Sequence, residues 1–327
     1  MMWLQKLNQV LGRIMPLLTP SSVAAGVLLS QHISWMAGAV PWIFAFITFT
    51  GSLSANFQSL KRSIEKPLPM IMALFVLHIF MPVFAWGSGH LIFSGDPLTV
   101  TGLIMGVVIP TGITSLIWAA MYKGNVGLTL SIILVDTVLS PFIVPLSLSV
   151  LAGANVQMDV WGMMKGLAEM VVIPSIAGMM VNQFSPPVRT QAISRSLSPF
   201  SKICLMIVIA INSSEIAPYV THVDIKFAGI AGTVFFIAMT GYAVAWLIGR
   251  LMKRSQDEIV SLIYTGGMRN ISAGAVLAVS FFPSQVGVPV VIGMLFQQIL
   301  AALFGYLLRR FELKPVVIKY EKNRSVT

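Results

Sequence analysis

One cysteine, Cys204, stands in 327 residues, so the chain can close no internal disulfide and builds no cysteine metal cluster. Cys204 lies in an apolar run, where a small buried side chain is the expected role. Charge is scarce too. Asp, Glu, Lys and Arg make up 10% of the chain, against about 25% in an ordinary soluble domain. Catalytic signatures are missing: there is no HExxH, no GxSxG and no pair of aspartates within an apolar segment. An intramembrane enzyme needs a nucleophile with its base, or a metal cluster, and neither is present in the sequence. Short alternating apolar segments, the mark of a membrane barrel, are absent as well.

What fills the space is hydrophobic. Apolar residues account for 56% of the chain, in stretches of about 20 residues that recur to about Arg310. The pattern is that of an all-α polytopic membrane protein. The stretches fall at about 15–31, 36–56, 68–92, 98–121, 125–151, 159–182, 197–217, 225–250, 256–281 and 286–308. The seventh is the weakest, because it runs directly into Asn212, Ser213, Ser214 and Glu215. Trp35, Trp42, Trp86, Trp161 and Trp246 lie near segment ends, as interfacial aromatic residues do. No small-residue cleavage site follows the first apolar run, so it reads as a retained helix and not a signal peptide. Residues 1–312 form one transmembrane unit, and 313–327 a basic cytoplasmic tail.

A net charge of +10 could point to nucleic acid, but its placement points to topology. Of 21 Lys and Arg, 18 fall in every second connection or at the termini, and the intervening loops hold only Lys226. By the positive-inside rule the basic loops and both termini are cytoplasmic. A multi-pass protein of the inner (cell) membrane is therefore expected, with the lipid bilayer as its partner, no nucleic acid and no obligate protein partner. The other two cations, Lys165 and Arg269, lie inside apolar segments. Lys165 and Glu169 are spaced to satisfy one another on a helix face.

Two segments are interrupted. The fourth reads MGVVIPTGITSLIWAAMYKG, with Pro110, Thr111, Gly112, Thr114 and Ser115 at mid-depth. The ninth reads EIVSLIYTGGMRNISAGAVLAV, with Gly266, Gly267, Arg269 and Asn270 in the same place. Freed backbone groups are tolerated at that depth only where they line protein or a water-filled cavity. With five segments per half, the fourth and ninth are equivalent and the second half is inserted upside down. The expected architecture is two inverted repeats, about 12–151 and 159–310, each with a discontinuous helix whose break meets the other.

At these residues the chain resembles bacterial members of the bile acid:sodium symporter family. The resemblance is carried by MPVFAW (Met81 to Trp86), PTGITS…YKGNVGLTL from Pro110, LSPFIVP (Leu139 to Pro145) and GMRN (Gly267 to Asn270). It implies a core domain of segments three to five and eight to ten, and a panel domain of segments one, two, six and seven. Substrate would sit between them beside the crossed fourth and ninth segments. It also implies secondary transport of an organic anion by alternating access, with Na⁺ as coupling ion and no other cofactor.

By position, the resemblance places Asn270, Gln297 and Gln298 at the substrate and Ser115, Thr129 and Thr265 at the coupling ion; the polar residues of the breaks add Thr111, Thr114, Ser115 and Arg269 to the substrate site, and the intramembrane carboxylate Asp136 is added to the ion site. The pattern departs at Leu116, where the family has Asn; at Ile133, where it has a hydroxyl; at Thr265, where it has Glu; and at Arg269, where it has Gln. Losing a carboxylate and gaining a guanidinium opposes a bound cation, so H⁺ coupling, or none, is the alternative. Arg269 must be paired, and Asp136 in IILVDTVLSP is the expected partner. An anionic substrate would open that pair and free Asp136 for a proton or a cation. His78 is expected as a packing histidine, with a proton relay as the alternative. One Arg and two amides suit a small carboxylate, such as a pantoate-like hydroxy acid or a 2-oxo acid. An arsenite-type exporter would need a cysteine in segment four, which has none. A membrane sensor without a transport cycle would need an output domain, which the short tail does not supply.

Overall fold

The computed structural model describes residues 2–55, 67–153, 158–220 and 224–312. The basic loop of Lys61, Arg62 and Lys66 and the tail 313–327 lie outside the described residues. Every regular element among the described residues is helical. We number the main ones α1 (Met2–Leu28), α2 (Ser30–Ser52), α3 (Pro67–Ile92), α4 (Pro97–Val108), α5 (Thr114–Met121) and α6 (Val126–Leu151). The second half holds α7 (Val160–Phe184), α8 (Pro187–Glu215), α9 (Ile225–Leu251), α10 (Gln256–Gly267), α11 (Ile271–Phe281) and α12 (Ser284–Phe311).

Seven of these helices are long and apolar enough to cross a membrane, and eight if α1, bent by 81° between Gly12 and Leu17, is one span. The expected fourth and ninth segments are each two short helices, α4 with α5 and α10 with α11. The seventh segment begins earlier than expected: α8 starts at Pro187 and stays helical through Asn212, Ser213 and Ser214, all buried. Cys204 is partly exposed, not buried as expected, because α8 is only half-buried on every side from Ser201 to Met206. Lys165 and Glu169 do meet, at 3.8 Å, on an exposed face of α7.

Two helices carry one wider turn each, Val76–Phe80 in α3 and Ala168–Val172 in α7. Both are followed by a proline, Pro82 and Pro174, which cannot donate to the preceding turn. The wider turn absorbs the missing bond without ending the helix, and such turns recur at functional sites. In α3 it carries His78.

The helices pack in two groups. One is α1, α2, α7 and α8; the other joins α3, α4, α5, α6, α9, α10, α11 and α12. They touch where α6 meets α7, where α11 meets α2, α7 and α8, and where α1 meets α12. The larger group is dense: Ile104, Met105, Tyr242, Tyr264 and Met268 are all fully buried.

Candidate functional site

The breaks have local causes. The residue before a proline avoids the helical region, and Ile109, ahead of Pro110, is extended at φ −60, ψ 148. Pro110 itself has no N–H to continue the ladder. In the second half α10 ends at Gly267, Met268 is extended, and Asn270 starts α11 by accepting the Ala273 amide at 3.4 Å.

The two breaks lie against each other. The Asn270 amide donates to the Pro110 carbonyl at 2.7 Å, and the Thr111 hydroxyl to the Thr265 carbonyl at 3.2 Å. Glycine is needed for this approach. A Cβ on Gly112 would stand 2.9 Å from the Arg269 carbonyl oxygen, and one on Gly267 would stand 2.3 Å from the ring of Tyr242.

Arg269 is 5% exposed, and its guanidinium faces main-chain oxygen. Nε donates to the Val107 carbonyl at 2.9 Å; Nη1 donates to the carbonyls of Gly266 at 2.9 Å, Met268 at 3.2 Å and Thr265 at 3.3 Å. Nη2 has no hydrogen-bond partner among the described residues. The expected ion pair with Asp136 is therefore not formed; no such contact lies within 4.0 Å among the described residues. The reason is geometric. The breaks free carbonyls beside the guanidinium and an amide beside the carboxylate, and each charge takes the nearer backbone group.

Asp136, fully buried on α6, accepts the Thr111 amide on Oδ2 at 2.6 Å. Its Oδ1 lies 3.0 Å from His78 Nε2, at ion-pair distance but outside hydrogen-bond alignment, and so without a hydrogen bond of its own. His78, expected as a packing residue, is thus the side chain that faces the buried carboxylate.

Between the two helix groups lies a cavity of about 1160 Å³, counting its open mouth. Six of the seven expected substrate residues line it: Thr111, Thr114, Arg269, Asn270, Gln297 and Gln298. The seventh, Ser115, is off the lining and fully buried, with a hydroxyl that has no partner among the described residues. Gln297 Oε1 accepts the Arg269 amide at 2.9 Å, and Gln298 Oε1 accepts the Trp118 indole N–H at 3.2 Å. Both glutamines thus keep their own amide N–H groups for a ligand. The opposite wall comes from α2, α7 and α8, including Thr48, Ser175 and Leu205. A second cavity of about 550 Å³, counting its open mouth, is lined by Gly102, Gly106, Gly241 and Gly293 of the larger group and shares Arg269 and Gln297 with the first.

Of the expected ion-coupling residues, Thr129 and Thr265 are fully buried and donate to carbonyls of their own helices, Asn125 at 2.9 Å and Ser261 at 2.8 Å. Neither lines a cavity described above, and neither does Asp136. Sequence reasoning missed Thr137 and Ser272, which line the large cavity. Their signal was proximity to Asp136 and Asn270 in the chain.

Residues 41–223 match the Sodium Bile acid symporter family. The chain is 78% identical over 305 residues to the Bacillus subtilis protein described as uncharacterized protein YbaS, covering 93% of this chain and 100% of that one. It is 21% identical to the B. subtilis uncharacterized sodium-dependent transporter YocS, over 88% of each chain. It is 20% identical to an Arabidopsis thaliana probable sodium/metabolite cotransporter, chloroplastic BASS1, over 94% of this chain and 76% of that one. The chain belongs to the sodium bile acid symporter family: it is a multi-pass membrane transporter and not an enzyme.

Proposed function

We propose that this transporter is a secondary carrier of a small organic anion that works by alternating access. One observation carries the reading. The large cavity receives the start of α5 at Thr114 and the start of α11 at Ile271, and Arg269 is the only charged side chain among the described residues of its lining. Helix starts present unpaired N–H groups and a partial positive charge of about +0.5 each, so the cavity favours a carboxylate. Nη2 of Arg269, the amides of Asn270, Gln297 and Gln298, and the hydroxyls of Thr111 and Thr114 then meet its oxygens and a neighbouring hydroxyl or carbonyl. This donor set suits a pantoate-like hydroxy acid or a 2-oxo acid. Taking each broken pair as one crossing and bent α1 as another gives ten crossings in two inverted repeats. The charge placement sets both termini on the cytoplasmic side of the cell membrane.

Relatives described as sodium-dependent and sodium/metabolite transporters support Na⁺ as the coupling ion, for which Ser115, Thr129 and Thr265 offer hydroxyl oxygens. H⁺ is the second reading, favoured by the approach of His78 to Asp136. Reconstitution into liposomes tests both. Uptake of a panel of small carboxylates is measured under separately imposed Na⁺ and pH gradients. Saturable uptake of a hydroxy or oxo acid, accelerated by one gradient, is expected. Uptake no faster than in protein-free liposomes across the whole panel removes the carrier reading. Stimulation by Na⁺ alone assigns the coupling to sodium and removes the proton.

A further inference from the structure

A helix leaves its last carbonyls without intrahelical partners and carries a partial negative charge at that end. In this bundle two such ends, of α4 at Val108 and of α10 at Gly267, stop far from either terminus of the broken segments. Carbonyls at the unwound ends of discontinuous transporter helices are suited to hold a small cation. Here those oxygens already have a cation. The Arg269 guanidinium takes Val107 from the end of α4, and Thr265, Gly266 and Met268 from the end of α10. One positive charge therefore joins two negative helix ends. Asp136, held at the Thr111 amide, acts on that charge through space without touching it.

We infer that this carbonyl cage is a monovalent cation site whose occupant is covalently tethered: Arg269 fills it in place of a dissociable metal ion. A surface arginine that merely caps one helix would reach one end, and in water. This one is buried, spans both ends and is surrounded by oxygen atoms of the main chain. An arginine does not lose its charge, so the cage is occupied at every stage of a transport cycle and adds nothing to coupling. The inference stands without the substrate reading above, because it concerns only what the helix ends hold.

The test is thermal stability of the purified protein without substrate, in sodium, potassium and choline salts of equal ionic strength. Wild type and Arg269→Lys, which retain a tethered charge, should melt alike in potassium and choline, and any rise they show in sodium alone belongs to a coupling ion bound outside the cage. Arg269→Gln and Arg269→Ala should melt lower in choline and recover by roughly 5 °C in sodium or potassium, as an emptied cage gains a ligand. Added guanidinium should restore Arg269→Ala in choline. If a variant folds only with a small cation present, the yield of folded protein in each salt replaces the melt as the measurement. Equal melts or equal yields of the Gln and Ala variants in all salts, with no response to guanidinium, overturn the inference. So does a wild type that is stabilised by potassium over choline as strongly as the variants.

Discussion

The carboxylate of Asp136 and the backbone amide of Thr111, 25 residues apart, are joined by a 2.6 Å hydrogen bond. The bond satisfies an N–H that the break after Val108 leaves free, and fixes the break to α6. Asp136→Asn keeps an oxygen for that amide but removes the charge; Asp136→Ala leaves the amide buried and unpaired. A buried unpaired donor costs about 1–3 kcal/mol. Thermal melts should therefore fall in the order wild type, Asp136→Asn, Asp136→Ala. Equal melts for all three would show that the bond does not hold the break.

Gln297 offers the second test, because it accepts the Arg269 amide while lining the cavity. Gln297→Glu keeps the acceptor oxygen and adds a negative charge where an anion is proposed to sit. Two charges about 4 Å apart at intermediate dielectric interact by about 4 kcal/mol, so even about a third of that raises KM about 10-fold. Uptake kinetics should show KM up by about 10-fold, with melting close to wild type. An unchanged KM would place the anion away from Gln297.

How much of this was legible in the sequence depends on what kind of atom does the work. Pro110, Gly112, Gly266 and Gly267 announce the two breaks, because they stand together with polar residues at mid-segment, whereas single prolines such as Pro141, Pro145 and Pro199 stay inside continuous helices. The joining of the breaks followed from the matching positions, and Asn270 meets Pro110 as that reading required. The partner of Arg269 was not legible. A sequence displays side-chain charge, so Asp136 was the obvious counter-ion. The oxygens that bind the guanidinium belong to the backbone and become available only once both helix ends are located. The early start of α8 was hidden for a similar reason, since its first two turns are polar and read as loop.

The glycine contacts give a comparison within one fold. A methyl on Gly267 would overlap the Tyr242 ring, and on Gly112 it would press the Arg269 carbonyl. A methyl on Gly106, in α4, meets nothing within 4 Å. Gly267→Ala and Gly112→Ala should destabilise by about 1–3 kcal/mol through overpacking. Gly106→Ala should be neutral or slightly stabilising, since alanine is favoured in a helix by about 1 kcal/mol. Circular-dichroism melts separate these outcomes. A Gly267→Ala protein as stable as wild type would mean that α9 and α10 do not pack this closely.

Asp96 ties three helix starts together at the opposite end of α4. It accepts the Thr99 amide at 3.1 Å and the Thr99 hydroxyl at 2.6 Å, pairs with Lys226 at 2.7 Å, and receives Gln285 Nε2 at 3.3 Å on both oxygens. Burial raises its pKa, but the bonds from Lys226 and Thr99 outweigh that, and the net position is below the usual 3.8. A folded pKa below the unfolded one means stability that is present above the unfolded value and lost as pH falls through the folded value. The loss therefore belongs to acid, from about pH 4 downward. Asp96→Asn caps a helix as well as Asp does, so it removes the ionic part alone. Because Lys226 is half exposed, that part is screened and is worth about 1 kcal/mol or less at neutral pH. The melting difference between wild type and Asp96→Asn should shrink with added salt and vanish in acid. A difference that persists unchanged at low pH would show that Asp96 acts through packing and not through its charge.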